Sequence, residues 1–194
     1  MPPRLIPLAM LSLTLGVAGC ATPIAPVDVT RFHLGAPIAR GTVAVEPQPG
    51  TDSGSLEYRA YLAAVSRELS RIGYADRAEA PDFLAVVGYS RAVRPASEVR
   101  RSPVTVGVGG GTGGVGLGIG FGIGGGGRSQ DVIATQLSVQ IKRRSTGEVV
   151  WEGRSQTEAR EKAPAAQPGL AAARLAEALF RDFPGESGRT ITVQ

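Results

Sequence analysis

Side chains able to do chemistry are few in this chain of 194 residues, and their spacing limits them further. There is one histidine, His33, and one cysteine, Cys20. A lone histidine leaves Ser-His and Cys-His arrangements without their usual base and leaves metal sites short of ligands. The plainer reading of His33 is a surface residue at the end of a strand. Asp82, Glu152, Glu158 and Glu161 show no spacing that marks an acid and base pair, and solvated faces explain them. Gly109, Gly111 and Gly114 satisfy G-x-G-x-x-G, yet 14 of the 21 residues from Gly107 to Gly127 are glycine, which makes a match nearly unavoidable. No helix with a capping pattern follows that match. The sequence therefore assigns no catalytic residue, no metal site and no cofactor, and the chain is expected not to be an enzyme.

Cys20 asks for a different chemistry. It closes Val17-Ala18-Gly19-Cys20 after a leader with Arg4 at its head and a mostly apolar run from Leu5 to Val17. Such a leader is too short to span a bilayer and reads as a secretory signal removed on export. With no second cysteine, a disulfide within the chain is excluded. The four residues resemble the lipobox of bacterial lipoproteins. That resemblance implies a diacylglyceryl group on the Cys20 sulfur, then cleavage, then a further acyl chain such as palmitate on the new amine. Two or more chains anchor stably, at ~0.8 kcal/mol per buried methylene. Ala21 stands where an aspartate would favour retention in the inner membrane, so the resemblance implies an outer-membrane protein facing the periplasm. The expected organisation is a signal peptide over 1–19, a lipidated tether over 20–26 and one periplasmic domain over 27–194.

The elements that must form that domain are legible from period. Val27 to Phe32 and Thr42 to Glu46 alternate as strands with one apolar face. Tyr58, Leu62, Val65, Leu69 and Ile72 make one stripe of a helix starting near Ser55, with Arg59, Ser66, Glu68 and Arg71 facing outward. Ser53 or Ser55 can cap it, and Gly73 can end it. Phe83 to Val87 is apolar throughout, which suits a central strand covered on both sides. Ile133 to Lys142 alternates. Ser145-Thr146-Gly147 turns the chain, and Val149, Trp151, Gly153 and Ser155 return on one face, with Trp151 beside Ile141. Trp151 can be a ligand platform, but core packing is the simpler role. A second helix is expected after Pro168-Gly169, with Ala172, Leu175, Ala176, Leu179 and Phe183 buried and Pro184 stopping it. Thr190 to Val193 can add an edge strand or fray.

The glycine segment over 107–127 is patterned. Val115, Leu117, Ile119, Phe121 and Ile123 alternate with glycine, as Val104, Val106 and Val108 alternate before the break at 109–114. A transmembrane helix through Gly116, Gly120 and Gly124 is disfavoured, since each interior glycine costs ~1 kcal/mol relative to alanine. Period two favours a hairpin with one apolar face and one bare face, or else a passive low-complexity loop. As a hairpin, its apolar strip is the candidate interaction surface.

The net charge of +4 is carried by arginine, with only two lysines, and the arginines are scattered. That distribution does not mark a nucleic-acid protein.

Taken in order, the Cys20 motif, Gly73-Tyr74, Ala80-Pro81-Asp82-Phe83, the hairpin Thr146-Gly147-Glu148-Val149-Val150-Trp151-Glu152-Gly153 and Leu179-Phe180-Arg181-Asp182-Phe183-Pro184 resemble the bacterial lipoprotein family catalogued as domain of unknown function 4136. The resemblance covers about Val27 to Pro184 and implies a small α+β domain on the periplasmic side of an envelope membrane. It brings no catalytic residues. The glycine insertion departs from the family's core pattern. The expected fold is α+β: a mostly antiparallel sheet of about five or six strands with two helices on one face. The expected function is a structural or binding role at the lipid bilayer. The alternatives are a subunit of an envelope transport or secretion assembly touching its partner, or its own copies, through the glycine hairpin, and, more distantly, an enzyme.

Overall fold

Alternating apolar residues build one seven-stranded sheet. The computed structural model describes residues 25–77, 79–95 and 131–194. Its strands are β1 (Val27–Phe32), β2 (Thr42–Pro47), β3 (Ala75–Asp76), β4 (Phe83–Arg94), β5 (Val132–Arg143), β6 (Val149–Arg160) and β7 (Thr190–Val193). The spatial order is β3-β2-β4-β5-β6-β1-β7. Two helices complete the domain: α1 (Leu56–Arg71) and α2 (Pro168–Phe180), the latter preceded by a 3-10 turn over Pro164–Ala166.

The sheet is mixed, not wholly antiparallel. β4, β5, β6, β1 and β7 pair antiparallel in succession, but β2 runs parallel to both β3 and β4. The reason is the crossover: α1 carries the chain back along the sheet after β2, so β4 starts at the same end as β2 did. The sheet also has one strand more than expected, because β3 adds two residues at the edge beside β2.

Both helices cover the same face. Beneath them lie Val27 and Val29 of β1, Val43 of β2, Phe83, Ala85 and Val87 of β4, and Leu137, Val139 and Ile141 of β5. Trp151 sits fully buried among them, paired across the strands with Ile141 as the alternation predicts. Its indole stacks on Phe180 at 5.3 Å and meets Phe183 tilted at 5.1 Å, and its Nε1 donates to Pro184 O at 3.0 Å. Trp151 is a core residue. Gly153 makes room for it: a methyl group there would run into the indole edge and stand 2.8 Å from Leu179 Cδ1.

The two helices run parallel to each other. The N-terminal turn of α1 lies over the middle and second half of β4, where Tyr58 Oη donates to Val87 O and Glu57 faces Arg91, and α1 ends near Phe83, against which Tyr74 packs. α2 follows β6 and ends back over Trp151. Their C-terminal carbonyls, which lack partners inside the helix, are closed by arginines from the N-terminal third of the chain. Arg31, only 3% exposed, donates to Leu179 O, Ala178 O and Arg181 O, each at 2.9 Å. Arg40 donates through Nε to Ile72 O at 2.7 Å, with its guanidinium 4.7 Å from the Phe183 ring centre. Positive charge at helix C-termini also favours the macrodipole.

Three expectations need correction. Glu68 does not face outward: it is buried, because the buried stripe of α1 runs through Tyr58, Tyr61, Ala64, Val65, Glu68 and Leu69. Arg71 Nε reaches it at 2.7 Å, which satisfies the carboxylate. Phe83 to Val87 is not covered on both sides, since Leu84 and Val86 stay half-buried on the face without helices. Phe183 lies beyond the end of α2, because Arg181 leaves helical geometry and Asp182 takes φ +55. Other readings hold. Ser55 caps α1 by accepting from Tyr58 N, Gly73 follows it at φ +98, and Thr190–Val193 is an edge strand. The insertion at 107–127 lies outside the described residues.

Candidate functional site

Among the described residues, the face of the sheet opposite the two helices carries no helix, and its middle is polar. On β5 the residues that alternate with the core are Gln136, Ser138 and Gln140; beside them on β6 stand Glu152 and Arg154. Together with Ser90 and Gln48 they line a shallow cavity of about 430 Å³. Gln140 Nε2 donates to Glu152 Oε2 at 3.1 Å, and Arg154 Nη2 donates to Glu152 Oε1 at 2.6 Å. The carboxylate is thus held from both sides. Gly88 in β4 lies at the centre, and a methyl group there would collide with the Gln48 amide and approach Ser138 Oγ to 2.9 Å. The bare position lets Gln48 fold over the sheet, while Ser138 Oγ donates to Gly88 O at 3.3 Å.

Amides and hydroxyls that both donate and accept, with one fixed ion pair, suit recognition of a polar neutral group. They do not place a nucleophile beside a base. Titration is perturbed elsewhere, where packing demands it. Burial pushes Tyr58 up to about 12 and raises Tyr61 and Tyr74. Burial lowers Arg31, opposed by nearby Asp182. The Asp82 carboxyl is held below its ordinary value by hydrogen bonds from Thr42, whose N and Oγ1 donate to Oδ2 at 2.8 and 2.7 Å. That contact ties the start of β2 to the start of β4.

The residues singled out from sequence fall into three groups. Cys20 and the strip Val115, Leu117, Ile119, Phe121 and Ile123 lie outside the described residues. His33 sits just past β1, its Nε2 at 3.0 Å from Gly185 O and its Nδ1 accepting from Gly35 N at 3.1 Å, so both ring nitrogens serve a loop. The carboxylates separate: Asp82 begins β4, Glu152 joins the polar face, and Glu158 and Glu161 stand at the far end of β6. The polar face itself was present in the sequence as the second half of an alternating pattern, in Gln136, Ser138 and Gln140. The turn at Ser145 to Gly147 already sets β6 beside them; what local pattern does not give is the pairing of β2 with β4, which brings Gln48 over Gly88.

Among the described residues no helix is long and apolar enough to cross a membrane. Among solved structures, the chain is similar to a PDZ domain protein of Parabacteroides distasonis, with TM-score 0.51 and 11% identity over 87% of this chain and 39% of that one. That likeness is one of fold, and the chain spans about two fifths of that protein's length. It also overlaps the PelC dodecamer of Paraburkholderia phytofirmans, with TM-score 0.41, 16% identity and 78% and 93% coverage. An uncharacterized protein of Zymomonas mobilis subsp. mobilis is 32% identical, across 87% of this chain and 80% of its own length. The family described as domain of unknown function DUF4136 matches residues 41–185, from just before β2 to the turn after α2, and the chain belongs to that family.

Proposed function

We propose that this chain is a lipid-anchored lipoprotein of the bacterial outer membrane, facing the periplasm, with a binding role and no catalysis. The observation that carries the binding role is the polar face around Gly88, opposite the helices, where the side chains of Gln48, Ser138, Gln140, Glu152 and Arg154 converge on one shallow cavity. The leader ending in Cys20 supports the anchor. Labelling with a radioactive fatty acid tests the anchor directly. Label in the wild type and none in Cys20→Ser is expected; equal label in both overturns it.

A second reading makes the chain a subunit of an envelope transport or secretion assembly that touches its partner through Val115 to Ile123. One observation favours it. β4 and β5 stay in register to their last pair, so Arg94 and Val132, which flank the segment, stand side by side. Crosslinking in cells separates the two readings. Capture from Gln136 and Gln140 supports the polar face, and capture only from Arg101 and Arg128 supports the assembly.

A further inference from the structure

The start of the described chain and the residues that flank 96–130 lie at one end of the sheet. Val27 pairs with Thr157, whose Oγ1 donates to Pro26 O at 2.8 Å, and Arg174 Nε donates to Ala25 O at 3.1 Å. The chain is therefore pinned from Ala25 onward. Thr157 pairs with Thr135, three positions from Val132, where β5 begins opposite Arg94. Both helices start at this end as well. The opposite end carries the turn at Ser145 to Gly147, the full length of β5 and β6 away, which for 12-residue strands is about 40 Å.

We infer that this end, with Leu56, Val93 and Leu170 as its apolar contacts, rests on the bilayer surface that carries the anchor; this rests on the reading of Cys20 as the lipid attachment. The tether decides the geometry. Five residues from Cys20 to Ala25 reach at most about 18 Å even when fully extended. The near end is held within that distance of the lipid, whereas the turn at the other end stands up to a domain's length farther off. Leu56 opens α1 at 80% exposed, Leu170 lies in the first turn of α2 at 53%, and Val93 precedes the last residue of β4 at 60%. Apolar side chains at this height meet the boundary between headgroups and acyl chains. The N-termini of α1 and α2 point the same way and present their positive dipole ends to the phosphates.

The test uses the mature, acylated protein in phosphatidylethanolamine and phosphatidylglycerol vesicles doped with a lipid bearing a nitroxide headgroup. Leu170 or Ser145 is replaced by p-azidophenylalanine and coupled to a fluorophore. Quenching at position 170 should exceed that at 145 by about threefold or more, given the tether's reach. Equal quenching, or more at 145, overturns the orientation. Replacing Leu56 and Val93 together by serine should lower quenching at 170 by about half if these side chains enter the boundary; no change removes them from the contact. Quenching that appears only at high protein density marks a contact between copies and also overturns the proposal. Mass measurement of the same sample reports whether Cys20 is acylated. If it is not, the anchor reading fails alone, and coupling Cys20 to a maleimide lipid still reads the orientation.

Discussion

The two ends of this domain are built differently. At the end near the Ser145 to Gly147 turn, Arg31 and Arg40 close both helices, and Trp151, Phe180 and Phe183 stack into one another. At the end where the chain arrives, the packing is thin: a small cluster of Ile133, Ala159 and Ala166 stands apart from the main core. Polar groups there are less well matched. The Tyr61 hydroxyl is buried with no hydrogen-bond partner among the described residues, and Glu57 Oε1 has only Arg91 Nη1 at 3.6 Å. The difference teaches that stability is concentrated at the end far from the proposed membrane contact. Changes there should be costly, and changes at the near end should be cheap.

The largest effect is expected at Arg31. Arg31→Met leaves the buried Ala178 and Leu179 carbonyls and the half-buried Arg181 carbonyl without this donor, which should cost ~3–5 kcal/mol in urea melts of the domain without its leader. A cost below that of an ordinary surface change would show that the two ends are equivalent. Gly153→Ala comes next, because the added methyl presses on the Trp151 ring and Leu179; ~1–3 kcal/mol is expected from overpacking. The same substitution at Gly169, with open space around it, serves as the control.

Tyr61→Phe sharpens the contrast from the other side. Removing a buried hydroxyl that lacks a partner should change stability by less than ~1 kcal/mol, or improve it. It also has a pH signature. A buried tyrosine whose pKa is raised keeps its full contribution below the unfolded value near 10 and loses it as pH rises, because the unfolded chain binds fewer protons there. Stability of the wild type should therefore fall above pH ~10, with Tyr58 and Tyr61 both contributing. Tyr61→Phe should fall less steeply in urea melts stepped through that range. The smallest effect is expected for deletion of Gly107 to Gly127. The strands flanking it are already paired at Arg94 and Val132, so a shorter connection should change stability by ~1 kcal/mol or less. Unfolding on deletion would place the segment in the core.

Much of this could be read from the chain, and what could not has a physical reason. β1, β2, β5, β6 and α1 follow from local period, and the Trp151 and Ile141 pairing follows from turn length. The parallel pairing of β2 with β4 does not, because it depends on where α1 returns the chain. Glu68 was misplaced because a charge on a helix reads as solvent-facing until its neighbour Arg71 is known to cover it. Arg31 gave no signal, since the carbonyls it satisfies lie about 150 residues away in sequence. The short motifs read from the sequence gain meaning in the fold. Gly153 is the seat of Trp151, and Phe180 to Pro184 is the ring stack that closes the core above it.

The margins of the sheet have a consequence for proteins held side by side. On a membrane, tethered copies share a plane and meet far more often than in free solution, and an unpaired strand is then a template for joining sheets. Here one margin ends in β3, two residues long, with β2 beyond it finishing in Pro47, which has no N–H to offer. The other ends in β7, four residues long, whose Thr190 and Thr192 hydroxyls bond to Thr30 and Asp28. Under the proposed anchor, short rails at both sides of the described sheet would let many copies crowd one lipid surface without polymerising through their backbones.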